Sequence, residues 1–287
     1  MKKAAISTFG KPYRLLVFLF LLTGLANFFP ANCFAIDGLV AGKYIYQPND
    51  SACFHNEFSG PLTSQQSPLS AKDMQQLMHY APDGFDYDIL QSLKQDACMK
   101  GAFYVDSLKE GTHMVILHSK NFLKEFTPDS LRSYIMKNVS PSTIKNAGAS
   151  EITNSNSTIQ YQLSFKSIVQ VGKKYTENAS LKTSLPLDIV PEQNVYAIKE
   201  GKPVSITLCI YFKGQPVKNA LIRILHKNVN GDILSETIFT SNKKGRIKIP
   251  VDATGEWIAN AVHMVKSSTG SSAALQTYLA SVSWGYK

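Results

Sequence analysis

Six histidines are the side chains best suited to ligate a metal ion or move a proton near neutral pH: His55, His79, His113, His118, His226 and His263. His55 lies in Cys53-Phe54-His55-Asn56-Glu57, a polar stretch that reads as a loop, with a carboxylate two residues away. That makes it the best placed to be an exposed ligand. His113 and His118 are five residues apart in a segment that reads as extended, and an odd separation in a strand sends two side chains to opposite faces. They can grip one ion together only if a bulge intervenes. His263 shares a strand face with Trp257, Ala259 and Ala261, which suits a packed ring as well as a ligand. The candidate metal ligands are therefore His55, His113 and His263, with a purely structural role as the competing reading for each. Such a site would take a divalent transition metal. Zinc is disfavoured because no Cys-x-x-Cys spacing occurs.

Other chemistry is poorly provided for. There is no Gly-x-Ser-x-Gly elbow, and Cys209 shares its strand face with Ser205, Thr207 and Tyr211 without a base at readable spacing. Asp83, Asp86 and Asp88 surround Pro82 and Gly84 near an expected helix start, where capping and dipole interaction compete with, and are favoured over, a calcium reading. Trp257, Trp284 and Tyr278 could stack on carbohydrate, but a Trp entering an alternating strand after a Gly turn more often fills a core. No glycine-rich phosphate loop follows a strand. The residues thus point to binding rather than catalysis.

The N-terminus reads as an export signal. Lys2, Lys3, Lys11 and Arg14 precede an unbroken apolar run from Leu15 to Leu22, Pro30 breaks the region, and Cys33-Phe34-Ala35 offers small residues to a signal peptidase. Cleavage is expected after Ala35, with Gly24-Leu25-Ala26 as a second site and an uncleaved anchor as the alternative. No lipoprotein box precedes Cys33. Residues 1–35 are thus a signal peptide, and no transmembrane segment is expected after its removal. Taking the four leader charges from the formal net charge of +9 leaves +5, and the basic residues are scattered, so a solvated surface is favoured over nucleic-acid binding. Cys53, Cys98 and Cys209 then remain for an oxidising compartment. Cys53 and Cys98 lie in the same loop-rich stretch and are expected to bridge, leaving Cys209 as a thiol.

The elements that must position these residues are mostly strands. Val204 to Phe212 alternates strictly, Ala220 to His226 and Ile233 to Thr240 flank an Asn230-Gly231 turn, and Arg246–Pro250, Glu256–Val265 and Leu275–Trp284 follow. With Leu187–Val190 this gives the strand count and turn spacing of an Ig-like or transthyretin-like sandwich over 186–287. Upstream, Leu39–Gln47, Gly101–Ser119 and the alternation of Ile159, Tyr161, Leu163 and Phe165 predict further strands. Helices are predicted from Ser70 through Met74, Leu77 and Met78, over Phe85, Ile89 and Leu93, and from Thr127 with Pro128 at its first position. Residues 138–157 read as an exposed loop. The fold class is mainly β, with two tandem β-sandwich domains: 36–185, carrying helical insertions, and 186–287.

Several stretches are similar to a bacterial periplasmic domain-of-unknown-function family often labelled a nickel/cobalt-uptake periplasmic component. They are Phe165-Lys166-Ser167-Ile168-Val169-Gln170-Val171-Gly172, Leu185-Pro186-Leu187-Asp188-Ile189-Val190-Pro191, Gly201-Lys202-Pro203-Val204, Gly214-Gln215-Pro216-Val217, Gly255-Glu256-Trp257 and the terminal Tyr278 to Trp284. The resemblance spans about residues 103–287. It implies a two-domain β-sandwich protein of a Gram-negative periplasm, linked to nickel or cobalt uptake and to a metal-uptake membrane complex or another envelope protein. The chain departs from the family's usual start, a His shortly before a Trp, because Ile36-Asp37-Gly38 has neither nearby. Three function classes follow: a periplasmic or secreted binding protein, an adhesin-like or assembly module that binds protein or glycan, and a cell-wall hydrolase.

Overall fold

The computed structural model describes residues 37–58, 69–92, 102–152, 154–198, 204–268 and 271–286. The strands are β1 (Asp37–Ala41), β2 (Ile45–Tyr46), β3 (Ala52–Phe58), β4 (Met74–Tyr80), β5 (Asp86–Asp88), β6 (Phe103–Val105), β7 (Gly111–Ser119), β8 (Phe122–Phe126) and β9 (Ser157–Val171). They continue with β10 (Leu187–Pro191), β11 (Val204–Phe212), β12 (Gln215–Pro216), β13 (Leu221–Lys227), β14 (Ile233–Thr240), β15 (Arg246–Val251), β16 (Glu256–Lys266) and β17 (Leu275–Gly285). The mainly-β class and the strands expected after residue 186 are all present.

Among the described residues the strands form three sheets. A ten-stranded sheet runs β14-β13-β16-β17-β9-β7-β4-β5, with β2 and β8 also paired to β9. A three-stranded sheet (β1-β3-β6) and a four-stranded one (β10-β11-β12, with β15 on β11) complete the set. Period-two alternation divides the large sheet's side chains between two cores. In β7, Val115 and Leu117 join Leu39, Phe54 and Phe103 of the three-stranded sheet. Met114 and Ile116 of the same strand instead join Ile189, Leu208 and Ile249 of the four-stranded sheet. The smaller sheets therefore cover opposite faces of the large one, which gives two sandwiches with a common middle layer.

Sheet pairing crosses the expected boundary at 185/186. β9 pairs in parallel with β17, Leu163 opposite Leu279 and Lys166 opposite Val282. An ion pair between Lys166 and Asp188, both side chains 1% exposed, ties β9 to β10 within the second core. Trp257 and Trp284 belong to that core too, with ring centroids 6.4 Å apart, so they are packing residues and not an exposed stacking surface.

The helix predicted from Ser70 is a strand instead, and the one predicted over Phe85, Ile89 and Leu93 is β5 followed by a single 3-10 turn, Leu90–Ser92, with Leu93 outside the described residues. Residues 71–73 make a single 3-10 turn, and β4 follows, antiparallel to β7. A bulge between Met74 and Gln76 shifts the register by one residue, so the apolar positions of an extended chain fall at helix-like spacing. Phe85 is not a helix-face residue. It is 65% exposed beside the turn from β4 to β5, where Gly84 takes φ 86°. The helix from Thr127 forms as expected over Pro128–Asn138, with Ser130 N donating to the Thr127 hydroxyl. The supposed loop 138–157 contains two short helices, Pro141–Ala147 and Ala149–Ile152. Ser140 caps the first through Thr143 N, and Gly148 ends it at φ 63°, start and stop signals that outweigh its polar composition.

Candidate functional site

The three predicted ligands lie in different settings. His55 is in β3, opposite Val40, with Nε2 3.7 Å from Glu57. Burial pushes the Glu57 carboxyl upward, but hydrogen bonds from His55 and Lys227 outweigh it and bring it down to about 2. Its carboxylate is therefore engaged in an ion pair with Lys227 at 2.7 Å. His263 lies in β16 opposite Tyr278, its ring 4.2 Å from that of Phe212, and burial lowers its pKa to about 4. His113 is buried in β7, on the face shared with Val115 and Leu117. His118 shares the opposite face with Met114 and Ile116, as the odd separation demands. Among the described residues no group of three His, Cys, Asp or Glu side chains could hold a metal ion.

Of the two expected bridging cysteines, Cys53 is half-buried in β3 opposite Tyr104, and Cys98 lies outside the described residues. Cys209 is a buried thiol whose Sγ donates to Lys244 O at 3.3 Å.

The structure gives His113 a partner the sequence does not single out. His79 Nε2 lies 2.8 Å from His113 Nδ1. In the antiparallel pairing of β4 with β7, His79 faces Val115, which places His113 on the same face two residues along. The ring planes are 10° apart with centroids 5.0 Å apart, the geometry of rings lying edge to edge in one plane around an N–H···N bond. Proton positions follow from the partners. His113 Nε2 lies 2.7 Å from Lys109 O, and a carbonyl can only accept, so this nitrogen carries the proton. His113 Nδ1 is then the acceptor, and His79 Nε2–H donates to it. Burial lowers both imidazoles, His79 to about 4, so the pair is neutral at neutral pH.

This pair lines a cleft of about 680 Å³ formed by β4, β5, β6 and the loop leading into β7. Tyr87 and Tyr104 contribute rings, and the Tyr87 centroid is 6.0 Å from that of His79. Asp83, Asp88, Asp106 and Lys109 contribute charge. Lys109 Nζ donates to Asp83 Oδ2 at 2.7 Å. Asp83 and Asp88 also serve the backbone: Asp83 accepts from Phe85 N and Asp88 from Leu90 N. Gly111 sets the local approach. It adopts φ 142°, and a Cβ there would lie 2.4 Å from Pro82, so the turn after β4 and the start of β7 meet closely only because position 111 is glycine.

A nickel or cobalt site does not fit these side chains as they stand. The one close imidazole pair points its facing nitrogens at each other within a single ring plane, leaving no common point at which both lone pairs converge. A third ligand is also missing among the described residues.

The architecture and the cleft define a mainly-β sandwich protein with a preformed concave site. The chain belongs to the family described as "Domain of unknown function (DUF4198)", whose model matches residues 46–265. That description names no metal. No curated protein matches the chain significantly. Solved structures align at low similarity. Trypsin-activated alpha-2-macroglobulin from Escherichia coli gives 10% identity and a TM-score of 0.22, covering 88% of this chain and 16% of that one. A tetra-tandem repeat from the extending region of a large adhesion protein gives 10% identity and 0.21, covering 88% and 75%. Murine CEACAM1b gives 11% and 0.19, covering 88% and 99%. The chain thus corresponds to about one sixth of the length of the macroglobulin, and overlays this loose carry no functional argument.

Proposed function

We propose that the protein is an exported, non-enzymatic binding protein of the bacterial envelope, and that its ligand occupies the cleft containing His79 and His113. The observation that carries this reading is the cleft itself: a concavity within the size range of small-molecule sites, with a buried polar pair and two tyrosines held on sheet strands. The leader-like N-terminus supports export. No residue that lines the cleft is a serine, cysteine or threonine hydrogen-bonded to a base, which favours binding over acyl transfer.

The test is native mass spectrometry of protein isolated from its own compartment, beside an Asp106→Trp variant that fills the cleft from an exposed position. A small ligand carried by the first and lost from the second is expected. Retention of the same ligand by the variant would overturn the cleft assignment. The narrower reading, an accessory role in nickel or cobalt uptake, requires the imidazole rings to rotate. It is upheld by a thermal shift with nickel or cobalt that His79→Ala abolishes, and dropped if neither ion moves the transition.

A further inference from the structure

We infer that the ligand of this cleft is an organic cation bearing N–H donors, a primary amine or guanidinium compound. This rests on the cleft reading above and names the ligand's chemistry.

The first support is the direction of the hydrogen-bond chain. It starts at His79 Nε2–H, passes to His113 Nδ1, and ends with His113 Nε2–H on Lys109 O. Because that order is fixed by a carbonyl, which cannot donate, His79 is left with a bare lone pair on Nδ1. Among the described residues no hydrogen bond reaches that nitrogen, although the side chain is 8% exposed and belongs to the cleft lining. This nitrogen opens to the cleft, so a ligand seated there meets it with a donor, not with another acceptor.

Charge supplies the second, independent support. Asp83, Asp88 and Asp106 face one cation, Lys109, and that cation is held by Asp83. The two imidazoles are neutral as bonded here, so the cleft carries a net negative charge from Asp88 and Asp106. An anionic ligand would meet carboxylates and an acceptor nitrogen. A cationic N–H group would meet complementary partners at each. Tyr87 adds a ring beside His79, a surface on which an ammonium or guanidinium group is also favoured.

The test uses putrescine as cation, with butanediol and succinate as neutral and anionic compounds of matching length. Binding to the mature protein is followed by backbone amide shifts and by hydrogen exchange of β4 and β7. Saturable putrescine binding is expected, with shifts centred on His79 and Asp106, weakened by about tenfold or more in Asp88→Asn/Asp106→Asn, since a charge-assisted bond is worth over 1 kcal/mol. Both positions are exposed, so the variant is expected to keep the parent fold, verified by its unchanged amide spectrum. If butanediol or succinate binds the cleft as well as putrescine, the cationic class is wrong and the cleft reading survives. If none of the three perturbs the cleft amides, both fail.

Discussion

Lys166 and Asp188 form an ion pair closed off from solvent on every side, and it joins the ten-stranded sheet to the four-stranded sheet that covers it. Asp188 Oδ2 also accepts from Thr183 N at 2.8 Å and from the Thr183 hydroxyl at 2.9 Å. Lys166 Nζ reaches the carbonyls of Leu181 and Ile189. Burial pushes the lysine pKa down, while Asp188 holds it up.

Breaking this pair from one side leaves a bare charge in an apolar interior. Asp188→Ala is expected to lower unfolding free energy by about 3–5 kcal/mol, whereas the paired replacement Lys166→Met/Asp188→Leu should cost much less. Urea unfolding of the three proteins decides it, and equal losses in single and double variants would show that packing, not charge, sets the cost.

Acid should weaken the fold through buried neutral histidines. His263 has its pKa lowered from 6.5 to about 4 by burial alone. A group depressed in this way contributes its full stability above the unfolded value near 6.5, and that contribution is lost as pH falls toward 4. The slope corresponds to at most roughly 3 kcal/mol for this ring. His79 is displaced in the same direction. The melting temperature is therefore expected to decline between about pH 6.5 and 4, and His263→Phe, which keeps a ring against Phe212, should flatten that decline. A variant with an unchanged slope would contradict the assignment.

Export and the cysteines can be tested together. The mature chain should begin at Ile36 and hold Cys53, Cys98 and Cys209. With Cys53 bridged to Cys98, denatured but unreduced protein should take up one alkylating group, and reduction should expose two more. Closing the loop between them is worth roughly 4 kcal/mol in the chain-entropy picture, so Cys98→Ser should melt markedly lower. Three groups taken up without reduction would remove the bridge.

The strands from β10 onward are legible because β11 and β15 alternate strictly and strong turn signals such as Asn230-Gly231 and Lys213-Gly214 separate the runs. The stretch from Ser70 to Leu93 is not, because the bulge after Met74 breaks the two-residue period and imitates a helical one. That misreading also hides the site. Once residues 74–78 are taken as helical, nothing sets His79 beside His113, 34 residues away. Lys166 misleads for another reason. It occupies a polar position in an alternating strand, which normally faces water, and only the covering sheet of β10 and β11 makes that position interior. Gly111, whose φ of 142° and close approach to Pro82 bring the two segments together, shows its role only in the structure.

The central claim is that His79 and His113 form a neutral, one-directional hydrogen-bonded pair whose open nitrogen serves the cleft. Nitrogen NMR of the imidazole rings at neutral pH tests it most directly. Both rings should carry their proton on Nε2, with His79 Nδ1 unprotonated and shifting when putrescine is added while the His118 ring stays put. A protonated His79 at neutral pH, or a His79 Nδ1 already bearing the proton, would contradict it.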